Sequence, residues 1–472
     1  MPLVGCCFLI QESNMFEVKQ VALGANKGSP RVWLEGRSLL AAGFETGAAF
    51  NVREDAGGLI LETSDLGSYK VSGKGIDKPI IDLNSHKLLD RFTGQNVLRV
   101  CFGNGRIFIS MKAAAKRAIR RIARTARNVS LGIVTTASFA AGGGIMAAAM
   151  DSGLNSSGLD VQALAFNEIR DELVDHAVSV NKAAACDSLF SVGIQEVAFD
   201  PALLARVPEV DILEMGLPCS GASPAGKTAN KIAIAENHPH VGHLVAAAIA
   251  IIAKANPTVF VLENVPAYAK TGSAAILRNQ LGEWGYQIKE GDLLGTDFGD
   301  LEARNRWVMV ACSAGVNFDF AQLIKTPCTK IVSDILEPLN AVSDRWSAME
   351  GRKAKAVRDK EAGKGFAMQI YAGSETKIAT LTKGIAKNRS TDPKIQHPTD
   401  PGLLRVPTAA EHARCKGVPE ALIQGLCQTT AHEVLGQGVC FGAMTALFVG
   451  IGESLQSADT KQRAMPVLGI AA

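Results

Sequence analysis

The sequence predicts an α/β protein: a doubly wound, mostly parallel sheet, preceded by a small β-rich domain and followed late in the chain by an irregular basic region. Three observations carry that prediction. At 472 residues the chain exceeds one ordinary domain and divides into two or three compact units. From Ser130 to about Ala314, apolar runs of strand length alternate with longer runs of helical period, the pattern of a sheet with helices on both faces. Up to about Ser110, brief alternating runs are punctuated by Gly, Asn and Asp, which marks hairpins.

Composition sets further limits. Apolar residues make up 47% and charged residues 20%, enough to bury a core and to exclude global disorder. Forty-nine Lys plus Arg oppose forty-six Asp plus Glu, a net charge of +3, so attraction to a polyanion must come from local clusters. No run approaches the roughly 18–20 apolar residues that cross a bilayer. Residues 244–253, the longest candidate, are bounded by His243 and Lys254, so a soluble chain without membrane contact is expected. Residues 1–10 have no basic flank and meet Gln11 and Glu12 at once, reading as a first strand rather than a secretion signal and giving a cytoplasmic address. Ten cysteines, at 6, 7, 101, 186, 219, 312, 328, 415, 427 and 440, include no C-x-x-C pair, so neither disulfides nor a metal site are expected.

Taken in order, residues 1–110 form the β-rich domain through runs such as Arg31-Val-Trp-Leu, Ala49-Phe-Asn-Val-Arg, Gly58-Leu-Ile-Leu-Glu and Asn96-Val-Leu-Arg-Val-Cys-Phe. Asn104-Gly105 between two such runs is a two-residue hairpin signal, because both residues tolerate positive φ. Residues 111–129 form a basic helical connector: Lys112, Lys116, Arg117, Arg120, Arg121, Arg124 and Arg127 stand without a single acid, a density that favours contact with phosphate over a solvated linker. Residues 130–315 hold the alternation, with strands at 133–139, 161–166, 210–215, 259–262 and 307–311; ligands of such sheets sit at the carboxyl ends of the strands. Residues 316–400 lose periodicity and gain positive charge, and residues 401–472 return to helix, broken at Gly436-Gln-Gly-Val. No long internal repeat is evident.

Four places carry chemistry. Phe139-Ala-Ala-Gly-Gly-Gly lies where a strand turns into a helix, and glycines there let the backbone approach a ligand and expose helix N–H groups. The next strand ends in Phe166-Asn-Glu168, a carboxylate suited to ribose hydroxyls; the two together point to an adenosyl nucleoside, while the missing G-x-G-x-x-G spacing disfavours a dinucleotide. Gly216-Leu-Pro-Cys219-Ser-Gly-Ala-Ser holds a cysteine on a stiff loop after a strand, as a nucleophile requires, whereas most of the other nine cysteines read as structural. Val259-Phe-Val-Leu-Glu263-Asn-Val ends an apolar strand in an acid that serves a site or caps a helix. Phe298-Gly-Asp-Leu-Glu-Ala-Arg304-Asn-Arg306 sets two guanidiniums at i and i+2 on one side of an extended segment, as an anion clamp or as surface decoration.

In this order the pieces resemble the C5-cytosine DNA methyltransferase family, over residues 133–315 and 400–452. The resemblance implies a Rossmann-like S-adenosylmethionine-dependent methyltransferase sheet with a small target-recognition region at 316–400. It assigns S-adenosyl-L-methionine to Phe139, Ala140, Gly142, Gly143, Gly144, Glu168, Ile169 and Pro218, the nucleophile to Cys219, the acid to Glu263, and the lining of a cytosine pocket to Arg304 and Arg306. Arg405-Val-Pro-Thr408-Ala-Ala-Glu411 with Gly417-Val-Pro419, and Leu435-Gly-Gln-Gly-Val439, resemble the family's last two motifs, and Ala379-Thr-Leu-Thr382-Lys-Gly falls in the recognition region. The implied reaction is methylation of carbon 5 of a cytosine flipped out of double-stranded DNA, with Cys219 adding at carbon 6 and Glu263 serving N3. A bacterial or phage-encoded, nucleoid-associated protein of restriction-modification type is implied as well. The chain departs from the pattern at Ala137 in place of Asp, Ala141 in place of Gly, Glu302 in place of Gln, Gln437-Gly438 in place of Asn-Ser, and in the lack of an acid at Val192-Gly-Ile-Gln-Glu-Val. These changes bear on cofactor affinity more than on the chemistry. The alternatives are an RNA cytosine methyltransferase acting on tRNA and a non-catalytic DNA-binding regulator with a decayed cofactor site.

Near the N-terminus, Pro30-Arg-Val-Trp-Leu-Glu-Gly-Arg-Ser-Leu-Leu-Ala-Ala-Gly-Phe44-Glu-Thr-Gly47, with Phe50-Asn-Val and Gly58-Leu-Ile-Leu, resembles the SymE and AbrB-like swapped-hairpin family. That resemblance implies a second DNA contact and a homodimer of intertwined copies; a structural β appendage is the alternative.

Overall fold

The computed structural model describes residues 16–55, 57–74, 78–338, 343–363 and 368–464, so the strand expected at residues 1–10 lies outside the described residues. The chain divides into two compact units, one up to Arg117 and one from Ala118.

In the first unit, strands β1 (Glu17–Asn26), β2 (Ser29–Glu35), β3 (Ala49–Asp55), β4 (Gly58–Thr63), β5 (Tyr69–Lys70), β6 (Ser72–Gly73), β7 (Pro79–Asn84), β8 (Val97–Gly103) and β9 (Arg106–Met111) are joined by short helices α1 (Arg37–Ala41) and α2 (His86–Leu89). They form one sheet in the order β5-β3-β4-β9-β8-β1-β2-β7-β6. The expected hairpin joins β8 to β9 through Asn104-Gly105, with Gly105 at φ 69°. Alternate side chains, among them Val32, Leu34, Leu59, Leu61, Ile107 and Ile109, bury into a single core.

Strand pairing uncovers a repeat, correcting the expectation that there is none. Pro30, Val32, Leu34, Leu39, Phe44, Phe50, Leu59 and Leu61 on β2-α1-β3-β4 recur as Pro79, Ile81, Leu83, Leu88, Phe92, Leu98, Ile107 and Ile109 on β7-α2-β8-β9. At two seams a residue faces its own counterpart: Trp33 pairs with Asp82 between β2 and β7, and Ile60 with Phe108 between β4 and β9. β1 bridges β2 and β8, while β5 and β6 together bridge β3 and β7, so the opening strand of each half reaches into the other. This is an approximate two-fold within one chain. The pairings that interleave the two halves all lie within the same polypeptide.

Helix α3 (Ala113–Ser130) carries the basic connector, and two of its seven cations are paired with acids of the second unit. Arg120 pairs with Glu209 at 2.7 Å, and Arg124 with Glu209 at 3.3 Å and the buried Asp211 at 3.0 Å. Arg121 is buried, donates to Ser313 Oγ and the Trp284 carbonyl, and stacks on the Tyr286 ring at 3.8 Å. Burial pushes the Asp211 carboxyl up, but Thr125, Arg124, Asn128 and the Thr135 N–H outweigh it and hold it below the usual range. The neutralising acids lie 85 and 87 residues downstream, where no local window finds them.

The second unit continues with β10 (Ile133–Phe139), α4 (Ile145–Ser156), β11 (Asp160–Asn167), α5 (Asp171–Val180), β12 (Ser188–Phe190), α6 (Ile194–Phe199), α7 (Pro201–Arg206), β13 (Ile212–Met215), α8 (Pro224–Asn230), α9 (Leu244–Ala255), β14 (Val259–Asn264), α10 (Gly272–Glu283), β15 (Tyr286–Leu294) and β16 (Asn305–Ser313). The sheet order is β12-β11-β10-β13-β14-β16-β15; β10 to β14 run parallel and β16 runs against them. Residues 316–405 add α11 (Glu350–Glu361) and a three-stranded sheet of β17 (Ile370–Tyr371), β18 (Lys394–Gln396) and β19 (Leu404–Arg405) over a small core containing Leu301, Ile378, Leu381 and Ile395. The chain closes with α12 (Ala409–Cys415), α13 (Gln428–Gln437) and α14 (Phe441–Ala464). α4, α12, α13 and α14 cover one sheet face and α6, α9 and α10 the other. Among the described residues no single helix is long and apolar enough to cross a membrane.

Candidate active site

The chain reverses its course across the sheet between β10 and β13, which opens a crevice at the carboxyl ends of these strands. At the end of β10 the chain turns through Ala140, Gly142 and Gly144, at φ 52°, 57° and 74°, into the N-terminus of α4. Each glycine has its own reason. A Cβ at Gly143 would collide with Val434, and one at Gly144 would lie 2.7 Å from Asn181 Nδ2, whereas one at Gly142 would meet nothing within 4 Å. The turn is tight against the protein on one side and open on the other, so the residues present fit a bound nucleoside cofactor.

Glu168 closes the turn from the neighbouring strand. Its Oε2 accepts from the Gly142 N–H at 2.9 Å and its Oε1 from the Arg170 N–H at 3.2 Å. Asn167, which sequence reading passed over, fastens three segments: its Oδ1 accepts from the Ala140 N–H at 3.2 Å, and its Nδ2 donates to the carbonyls of Phe190 at 2.9 Å and Val192 at 2.7 Å. The Phe139 ring is fully buried, 5.9 Å from the Phe190 ring, and so supports the turn from below. Ile169, by contrast, is largely exposed.

The cysteine loop leaves β13 at Met215. Cys219 is exposed, and its carbonyl accepts from the N–H groups of Ala222 at 3.0 Å and Ser223 at 2.9 Å, which stiffens the loop before Ser223 caps α8. Pro218 beside it is exposed as well. Asn264 Nδ2 donates to the Leu217 carbonyl at 3.0 Å, tying this loop to the end of β14.

Glu263, at that same end, is buried and pairs through Oε1 with Arg306 Nε at 2.8 Å. Burial and the Arg304 charge push the Arg306 guanidinium down, while Glu263, Cys219 and Glu302 pull it up, so the electrostatic surroundings of Arg306 contain the thiol, the acid and the second guanidinium together. Arg304 Nη2 donates to the carbonyls of Gly436 at 3.1 Å and Gln437 at 3.4 Å, and its buried Nε has no hydrogen-bond partner among the described residues. Beneath them lies Glu214 on β13, fully buried and in register with Ser138 and Val261. Its burial, with Glu263 nearby adding to it and Ser138 opposing, pushes its carboxyl up to about 8.

Comparison with known proteins bears on this cluster. The Type II methyltransferase M.NlaX of Neisseria lactamica is 28% identical over 253 residues, which cover 52% of this chain and 76% of that one. The Type II methyltransferase M1.ScrFI of Lactococcus lactis subsp. cremoris is 27% identical over 252 residues, covering 51% of this chain and 62% of that one. Among solved structures, the S. pombe Dnmt2 methyltransferase matches with a TM-score of 0.51 at 16% identity, and the Entamoeba histolytica methyltransferase EhMeth with 0.51 at 17%; each match covers 68% of this chain and 98% of the other, and these two likenesses speak for the fold alone. A family profile described as C-5 cytosine-specific DNA methylase matches residues 136–453, from within β10 to within α14. With the glycine turn, the cysteine loop, the acid and both guanidiniums inside a match that takes in well over half of its length, this chain belongs to the C-5 cytosine-specific DNA methylase family.

Proposed function

We propose that the protein transfers a methyl group from S-adenosyl-L-methionine to carbon 5 of a cytosine flipped out of double-stranded DNA, through a covalent Cys219 adduct. The observation that carries this reading is the Glu263–Arg306 pair at 2.8 Å, whose electrostatic surroundings include the exposed Cys219 loop and Arg304. The cofactor would rest on the open side of the 140–144 turn, with Glu168 at its ribose and Ile169 and Pro218 bordering it; when bound, it supplies an electrophilic methyl group.

Carbon 5 of cytosine is a weak nucleophile, and the work of the chain is to make it a stronger one. The Cys219 thiolate adds to carbon 6, which breaks the ring's aromaticity and pushes electron density onto carbon 5. Glu263, fixed by Arg306, holds the proton that accumulates at N3 as the adduct forms. The unpartnered Arg304 Nε is the donor available for the base O2. After carbon 5 is methylated, loss of its proton restores the double bond and expels the thiolate. Carbon 6 cannot be reached inside a stacked duplex, so the base must leave the helix before Cys219 attacks.

Residues 316–400 would read the target sequence, and the first unit would supply a second DNA contact, as its resemblance implies. In a test of the central step, Cys219→Ser abolishes tritiated methyl incorporation into DNA while duplex binding persists, and bisulfite sequencing of plasmid from cells expressing the wild type reveals modified cytosines in one recurring context. Full activity in the serine variant would remove Cys219 from the reaction. Methyl uptake by tRNA and not by duplex would favour the RNA alternative.

A further inference from the structure

Between the guanidinium pocket and the recognition segment lies a buried charge pair that the reaction does not use. Glu302 and Lys416 are both fully buried, with Lys416 Nζ 2.8 Å from Glu302 Oε2. The other carboxylate oxygen, Oε1, accepts from the Leu381 N–H at 2.8 Å, inside the Ala379-Thr-Leu-Thr382 segment. Arg304 Nη1 is 3.8 Å from that same oxygen, and the Arg304 N–H donates to the Glu302 carbonyl at 2.8 Å.

The backbone around Glu302 is gripped from two sides. The N–H groups of Leu301 and Glu302 both donate to the Cys415 carbonyl at 2.9 Å, while Leu301 and Ala303 exchange bonds with Ile378 of the recognition segment, Ala303 N–H to the Ile378 carbonyl at 2.8 Å and Ile378 N–H to the Leu301 carbonyl at 2.9 Å. Lys416 also donates to the Gly438 carbonyl at 3.4 Å. A Cβ at Gly436 would strike the backbone of Thr382 and Lys383, so the recognition segment runs directly over the carbonyls that hold Arg304. One carboxylate thus meets the 378–382 stretch of the recognition segment, the base-pocket arginine and the lysine that follows α12. Two cations, Lys416 and Arg304, share this single buried anion, an arrangement that fixes its position because any displacement leaves a buried charge unpaired.

We infer that Glu302, locked by Lys416, is a positioning residue that holds the 378–382 segment in register with Arg304 and so couples sequence recognition to the cytosine pocket. This rests on the reading given under Proposed function. In the full chain, Glu302→Met/Lys416→Met replaces the pair by apolar side chains of similar length and deletes the acceptor for Leu381, whereas Glu302→Gln/Lys416→Gln keeps an acceptor and a neutral pair. Expected for the methionine variant are faster amide hydrogen exchange across 378–382 by mass spectrometry and a KM for its recognition duplex raised by about 10- to 100-fold, with S-adenosylmethionine affinity within about two-fold of wild type. The glutamine variant returns both readouts toward wild type. Unchanged exchange and KM in the methionine variant overturn the inference, and so does an equal loss of cofactor affinity, which would make the pair a support of the whole fold. Should the methionine variant not fold, Glu302→Lys/Lys416→Glu retains the ion pair but turns an ammonium toward the Leu381 N–H and is read in the same way. A wild-type chain that transfers no methyl to DNA would defeat the reading under Proposed function, and the exchange comparison would still decide the role of Glu302.

Discussion

Glu263 follows four apolar, buried residues and stands next to last in its strand, and its partner Arg306 is the second residue of the antiparallel strand beside it, so acid and guanidinium meet where two strand ends coincide. Glu263→Gln removes the charge and the exchangeable proton but little volume, and methyl transfer is expected to slow by roughly 10²–10⁴ in single-turnover assays. Glu214, one strand away, gives a signature in stability rather than rate. Its carboxyl is raised to about 8 in the folded chain from an ordinary 4.5, so the folded state keeps a proton that the unfolded state has released between those values. Stability from this group is therefore complete below about pH 4.5 and is lost as pH rises through about 8. Glu214→Gln should flatten the fall of Tm over that window, read by thermal unfolding at stepped pH. Cys219, Glu263, Arg304 and Arg306 were legible in the sequence because each stands out against its local chemistry. Asn167 and Asn264 were not, since a side-chain amide that ties loops together looks in sequence like any polar strand end.

The turn from β10 into α4 depends on α13, which packs against it from the far end of the chain. Gly143→Ala places a methyl group against Val434 and is expected to destabilise by about 1–3 kcal/mol and to weaken S-adenosylmethionine binding; Val434→Ala in the same chain should recover part of both losses, measured by thermal unfolding and cofactor titration. Helix α3 is tied down as firmly. Arg124→Ala leaves Asp211 buried without its cation, at a cost of about 3 kcal/mol in unfolding free energy by denaturant titration. Strands β11, β14 and β16 were readable because each holds an apolar run ended by a polar residue, and β10 and β13 because a mostly apolar stretch leads into a turn that carries glycine. β12 is three residues long, and β15, Tyr-Gln-Ile-Lys-Glu-Gly-Asp-Leu-Leu, is half polar because it lies at the sheet edge, so neither rises above its surroundings.

At the scale of the whole chain, α3 fixes where a truncation can be made. Removing residues 1–112 keeps Arg121 and Arg124 on the second unit, while removing 1–127 strips both and strands Asp211. If the first unit touches DNA as proposed, the shorter deletion lowers the salt dependence of duplex binding with thermal stability of the second unit retained; an unaltered salt slope would argue for a passive appendage. The repeat in the first unit makes a separate prediction. Trp33→Cys with Asp82→Cys, directly opposed across the β2–β7 seam, should oxidise to a product that runs as a single chain on a non-reducing gel at every protein concentration, against the two single-cysteine controls. Disulfide-linked pairs that grow with concentration would mean that the hairpins are traded between copies. In an assembly of identical subunits every substitution appears twice, whereas tandem encoding lets the two sides of a two-fold drift apart. That drift is already visible at the seam, where a tryptophan on one side faces an aspartate on the other and Arg31 serves both, stacked on the indole at 4.4 Å and bonded to the carboxylate at 2.8 Å.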